Sequence, residues 1–123
     1  MHDCQKCKCA LTLDELELSV HLGVTAKERA KKQRVLITAR ISFSKPPLAC
    51  KTRKISDTIC YDTLTQEIKN FCHTKKFTLV EFLGMQLFGL IKQSIFKGCK
   101  LYLQVAKQYP LPELAQSVFE ISD

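Results

Sequence analysis

Tryptophan is missing from this chain of 123 residues, and aromatic residues supply only 8% of it. Ring surface is scarce and sits mostly at apolar positions, which argues against a nucleic-acid binder built on base stacking. Long hydrophobic runs are missing too. The most apolar stretch, Phe77 to Ile91, contains Glu81 and Gln86 and is too short to span a bilayer. Asp3, Lys6 and Lys8 interrupt any apolar run near the start, so no signal peptide is visible. The expectation is a cytoplasmic protein with no membrane partner. Repeats, linkers and low-complexity segments are also lacking, which leaves one domain, large enough to bury a core without staples.

Cysteine, by contrast, is plentiful, with 7 residues, an odd number. A cytoplasmic chain keeps its thiols reduced. Cys4, Cys7 and Cys9 have the close spacing of a thiolate metal site, and His2 could add a nitrogen. A structural zinc site needs a second ligand pair to close four-coordination, and Cys50, Cys60, Cys72 and Cys99 lie singly. His2, His21 and His73 share no ligand spacing. Neither metal nor cofactor is therefore expected. Residues 1–10 read as a disordered Cys-rich tail and residues 11–123 as the single domain.

The net charge of +7 is concentrated in "KERAKKQR" (Lys27, Arg29, Lys31, Lys32, Arg34) and "KTRK" (Lys51, Arg53, Lys54). Such patches suit nucleic acid, anionic lipid or a phosphorylated small molecule, but most are solvated faces. No nucleic-acid partner is expected. A basic assembly protein that binds RNA or DNA stands as the non-enzymatic alternative, and affinity falling steeply with salt would mark it.

Periodicity gives the organisation. "LTLDELELSVHLG" alternates at Leu16, Leu18, Val20 and Leu22, the mark of a half-buried strand. Gly23 breaks it, and Thr25 to Glu28 is a capping-box signature opening a short helical turn. "RVLITARISF" is a second strand, ended by "KPP". "YDTLTQEIKNFCH" stripes one helix face with Leu64, Ile68, Phe71 and Cys72, and Asp62 is its expected N-cap. "FTLVEFLGMQLFGLIKQ" is a second helix, with Thr78 and Glu81 as a capping box and Leu79, Leu83, Leu87, Leu90 and Ile91 on one face. "CKLYLQVAK" and "SVFEIS" complete a β-β-α-α-β-β order. The fold class is α+β, an antiparallel sheet with two helices on one face. Its outer strands would be open edges, which proteins rarely leave uncovered, so assembly with further copies is expected.

"LGVTAKERAKKQRVLITARISF", "SDTICYDTL", "FTLVEFL" and "LQVAKQYP" resemble, in order and spacing, the dihydroneopterin aldolase family of folate biosynthesis. The resemblance runs from about Leu11 to Ile121. It implies the tunnelling fold, in which subunits share antiparallel strands around a barrel. It also implies a homo-oligomer, tetramer or octamer, with active sites between subunits and a small-molecule pterin as substrate. The family's carboxylate after "GV" falls on Glu28, its tyrosine in D-x-x-x-Y on Tyr61, and its helix-opening glutamate on Glu81, preceded by Val80. Its strand-end lysine falls on Lys107.

The family splits the side chain of 7,8-dihydroneopterin in a retro-aldol step, giving 6-hydroxymethyl-7,8-dihydropterin and glycolaldehyde. Because the pterin's own C=N bond accepts the electrons, the protein's part is positioning and general acid–base work. The resemblance assigns proton transfer to Lys107 with Glu28 and Tyr61. Glu81 would accept a ring N–H and the amino group in parallel, beside the Val80 backbone.

Each residue has a plainer reading. Glu28 and Glu81 could be caps alone, Tyr61 a core aromatic, and Lys107 a strand-end residue reaching for water. Strand alternation nevertheless aims Lys107 at the apolar side, unusual for lysine. Gln108 and Tyr109 stand before Pro110, where many members have proline directly after the lysine, and "SVF" replaces a common glycine. Those departures and the Lys31, Lys32 and Arg34 cluster resemble the dihydroneopterin triphosphate epimerases, a sister group that reuses the same step and the second candidate activity.

Overall fold

The computed structural model describes residues 6–123; His2 and Cys4 of the predicted tail lie outside the described residues. The chain runs through β1 (Cys9–Leu22), α1 (Ala26–Arg29), β2 (Lys32–Phe43), α2 (Ala49–Thr52) and a 3-10 turn (Ile55–Asp57). It continues through α3 (Tyr61–His73), β3 (Lys76–Phe77), α4 (Val80–Ser94), β4 (Lys100–Leu111) and β5 (Leu114–Ser122). Cys9 and Ala10, counted with the tail in the sequence reading, are strand residues paired with Phe43 and Ser42.

β1 holds its face by a bulge. Leu11 and Leu13 are odd-numbered, whereas Leu16, Leu18, Val20 and Leu22 are even, so an unbroken strand would send them to opposite sides. Leu13 pairs with Ala39 and Leu16 with Ile37, which places one extra residue in β1. Glu15 absorbs it with φ 54°. Every leucine then faces the core.

The sheet order is β3-β1-β2-β4-β5. β1, β2, β4 and β5 pair antiparallel, but β3 pairs parallel with the end of β1, through His21–Lys76 and Leu22–Phe77. This short parallel edge departs from the expected all-antiparallel sheet. α3 packs beside β1, and α4 lies over β4 and β5. Leu64, Ile68 and Cys72 of α3 and Leu83, Leu87 and Ile91 of α4 meet Val20, Ile37, Leu103 and Val105 from the sheet. Each such side chain contributes roughly 1.5–3 kcal/mol by leaving water.

The helix starts need correction. α3 is capped by the Cys60 position, and Asp62 sits inside the first turn. α4 begins after Leu79, whose extended backbone makes no side-chain cap, so the Thr78–Glu81 box does not form. Phe77 is drawn into β3, which delays the helix and leaves Leu79 exposed rather than on the core stripe. Among the described residues, no helix is long and apolar enough to cross a membrane, and no cluster of His, Cys, Asp or Glu could hold a metal. Cys7 is disulfide-bonded, unlike the reduced state expected, while Cys9, Cys50, Cys60, Cys72 and Cys99 carry free thiols.

Candidate functional site

Glu28 is presented by a tight turn after β1. The Thr25–Glu28 capping box forms: Glu28 N donates to Thr25 Oγ1 at 3.2 Å, and Thr25 N donates to Glu28 Oε1 at 3.3 Å. The Thr25 hydroxyl also donates to the same oxygen, at 3.1 Å. Arg29 Nη1 donates to the carbonyls of Gly23 and Val24 at 3.0 and 2.7 Å, and His21 Nδ1 lies 2.8 Å from the Arg29 carbonyl. Gly23 N donates to Phe77 O at 3.0 Å, tying the turn to the segment before α4. A Cβ on Gly23 would stand 2.3 Å from Glu28 Cβ, so only glycine permits this approach.

Lys107 continues the core face of β4, following Leu101, Leu103 and Val105, and pairs with the fully buried Val35. Its Nζ lies 3.9 Å from Glu28 Oε2, with side chains 18% and 45% exposed for Lys107 and Glu28. That separation makes an ion pair but no direct hydrogen bond. Both groups therefore keep hydrogen-bonding capacity for a third group. The expectation that alternation turns this lysine inward is met.

α4 brings Val80 and Glu81 to the same end. Near its C-terminus, Lys92 Nζ donates to Cys99 O at 2.9 Å and pairs with Asp123, whose other oxygen accepts from Leu101 N at 2.8 Å. A turn from its start, a Cβ on Gly84 would lie 2.5 Å from Phe119 and 3.6 Å from Val105. α4 thus runs opposite to β4. From that contact Glu81 lies about 4.5 Å further along the helix and Lys107 about 6.6 Å further along the strand. Val80 is half-buried and Glu81 exposed. Among the described residues the Glu81 carboxylate makes no hydrogen bond or ion pair, so its cap reading falls away.

Tyr61 is not part of this grouping. It is 63% exposed at the start of α3, which removes the core-aromatic reading. Ser94 Oγ donates to Glu67 Oε2 at 2.6 Å, and Phe71 faces Phe77 with ring centroids 6.3 Å apart. α3 and α4 are therefore antiparallel, and Tyr61 stands beyond the far end of α4. At about 1.5 Å per residue it lies on the order of 25 Å from the Lys107 end. The Thr52 hydroxyl, donating to Asp57 Oδ2 at 2.6 Å, shapes the loop that leads to it. A cavity of about 320 Å³, lined by Phe43, Pro46, Leu48, Asp57 and Phe96 among others, also belongs to this far end.

Two features went unread in the sequence. In the sequence Gly23 reads only as a strand breaker, and Thr25 only as a cap. The signal was their spacing: glycine five residues before a glutamate whose box partner lies between them. Arg34, one of the phosphate-binding candidates, makes an exposed ion pair with Glu17 on the sheet.

A family model described as "FolB: Dihydroneopterin aldolase" matches residues 11–121. A "Probable dihydroneopterin aldolase" of Chlamydia pneumoniae is 35% identical over 115 residues, covering 91% of this chain and 86% of the relative. Among solved structures, E. coli dihydroneopterin aldolase in complex with neopterin superposes with a TM-score of 0.85 at 16% identity, covering 94% of this chain and 98% of that one. A putative dihydroneopterin aldolase from Vibrio cholerae gives 0.83 at 19% identity, covering 94% and 96%. At those identities the structures speak for the fold alone.

Proposed function

The chain belongs to the dihydroneopterin aldolase family, and from that premise we propose that Glu28, Glu81 and Lys107 form one half of its active site and Tyr61 of a second copy the other. The observation that carries this is the Lys107–Glu28 pair, a half-buried amine 3.9 Å from a carboxylate held by its own turn.

The substrate is 7,8-dihydroneopterin, and the reaction is its retro-aldol cleavage to 6-hydroxymethyl-7,8-dihydropterin and glycolaldehyde. Glu81, exposed and unengaged beside Val80, accepts the ring N–H and amino group in parallel, which anchors the pterin. Lys107 takes the hydroxyl proton of the side chain, directly or through water, and a proton returns to the ring-bound carbon afterwards. Glu28 holds the amine in place through charge. The electron pair released by the breaking C–C bond enters the pterin's own C=N bond. Tyr61, far from Lys107 in its own chain, covers the ring or relays a proton at the site of a neighbour. Active sites between copies in a tetramer or octamer, in the cytoplasm, complete the reading.

Separate incubations with dihydroneopterin and with its triphosphate test it. Equimolar hydroxymethyl-dihydropterin and glycolaldehyde are expected. Recovery of an epimerised triphosphate, with no glycolaldehyde from the unphosphorylated substrate, would assign the chain to the epimerase reaction instead.

A further inference from the structure

We propose that Thr25 is a positioning residue for the Lys107–Glu28 pair, its hydroxyl committing one carboxylate oxygen to the turn so that the other faces the amine. The inference rests on the reading of that pair as the acid–base machinery.

A glutamate on an exposed four-residue helix ordinarily samples several rotamers. Here the Thr25 hydroxyl uses both of its capacities on Glu28. It donates its single hydrogen to Oε1 at 3.1 Å and accepts from the Glu28 backbone N–H at 3.2 Å. The Thr25 N–H adds a second donor to Oε1, at 3.3 Å. Oε2 makes none of these bonds and lies 3.9 Å from Lys107 Nζ. One oxygen is structural and the other is turned to the chemistry. Glu28 is a cap and a site residue at once, through different atoms.

The turn has supports that do not involve this hydroxyl. Arg29 binds the Gly23 and Val24 carbonyls, His21 meets the Arg29 carbonyl, and Gly23 N–H is tied to Phe77. The backbone bonds Arg29 N to Thr25 O and Ala30 N to Ala26 O, at 3.1 and 3.0 Å, also survive its loss. Removing the hydroxyl alone therefore leaves Oε1 only the longer bond from the Thr25 N–H, at 3.3 Å, and loosens the carboxylate while the turn persists.

Thr25→Val keeps the shape and deletes the hydroxyl; Thr25→Ser keeps the hydroxyl. In the oligomeric enzyme, Thr25→Val should lower kcat roughly tenfold, the scale of one hydrogen bond to a charged group. Its KM should move less than about twofold, because the pterin anchor is untouched. Thr25→Ser should restore most of kcat. In a Glu28→Gln background Thr25→Val should add nothing further, since it acts through that carboxylate. A merely structural threonine would lower stability and leave kcat, or add its effect to that of Glu28→Gln, and either result overturns the proposal.

A second readout needs no substrate. Acetylation of Lys107 by acetic anhydride, followed by mass spectrometry, reports how firmly the amine is ion-paired. Labelling should rise in Thr25→Val and in Glu28→Gln alike, and should return in Thr25→Ser. Unchanged labelling in folded Thr25→Val overturns the inference whatever the turnover. Labelling that responds in a protein that cleaves no pterin would instead remove the functional reading and leave the positioning role standing.

Discussion

Glu81 and Lys107 sit at one end of the fold but differ in what surrounds them, and that difference predicts different losses. Glu81 is exposed, unpaired among the described residues and free of any capping duty. Its proposed partners on the pterin ring are present in substrate and product alike, so its contribution is uniform along the reaction and belongs to binding. Glu81→Ala should weaken pterin binding by about tenfold or more, the effect of losing a charged hydrogen-bonding partner. Because the Thr78–Glu81 box is not formed, its thermal stability should stay close to that of the parent protein. Lys107 is enclosed between Val35, Ser117 and the Glu28 turn. It handles a proton that moves only during reaction. Lys107→Ala should bind pterin nearly normally in a fluorescence titration and turn over at least about a hundredfold more slowly. Near-normal turnover in that folded variant would return Lys107 to the strand-end reading.

Two contacts between elements hold the site end and the opposite end in register. At the site end, Gly23 lets the α1 turn fold back onto the strand end, where a Cβ would lie 2.3 Å from Glu28 Cβ. Gly23→Ala should displace the turn, lowering kcat by roughly tenfold or more through lost positioning. The core of sheet and helices lies elsewhere and should keep its near-native circular dichroism. At the far end, Asp123 joins α4 to β4 by accepting from Lys92 and from Leu101 N–H. These bonds, the Lys92 contact foremost, hold its carboxyl below the ordinary value of 3.8. A carboxyl lowered on folding stabilises the protein above its unfolded value, and that stability is lost as pH falls through the folded value. Asp123→Asn should therefore lower Tm at pH 7 by up to about 4 °C, the scale of an exposed charge pair. The difference from the parent should vanish in acid below the folded value. The main elements themselves were legible because burial follows period: α3 spans the residues its apolar stripe marks, and the four long strands contain the stretches alternation marks, although β4 runs on to Leu111 and β5 begins at Leu114. Boundaries failed where a long-range contact overrode local pattern. β3 exists only because Phe77 reaches the end of β1, and that pairing cancels the helix start at Thr78. The β1 bulge was hidden for the same reason, since odd and even leucines share a face only through Glu15 at φ 54°.

In the whole molecule, one chain presents a carboxylate–lysine pair at one end and an exposed tyrosine at the other, on the order of 25 Å apart by helix rise. A single chain folded in this way keeps them apart, and the proposed site needs a second copy to supply the tyrosine. β5 is an outer strand with Leu114 and Val118 exposed, an edge of the kind that assembly covers. The residues proposed for the site come from the resemblance, position by position. Their proposed division between two copies rests on the separation of Tyr61 from Lys107, which sequence spacing does not carry and which comes from the antiparallel packing of α3 on α4. The most direct measurement is complementation between two inactive chains, Tyr61→Phe and Lys107→Ala, unfolded, mixed and refolded together. Mixed assemblies contain interfaces that pair an intact Tyr61 with an intact Lys107, so activity should return to roughly a quarter of the parent level, as random pairing across interfaces dictates. A mixture as inactive as its components, although the two chains co-assemble, would contradict a site built from two copies, as would a fully active monomer.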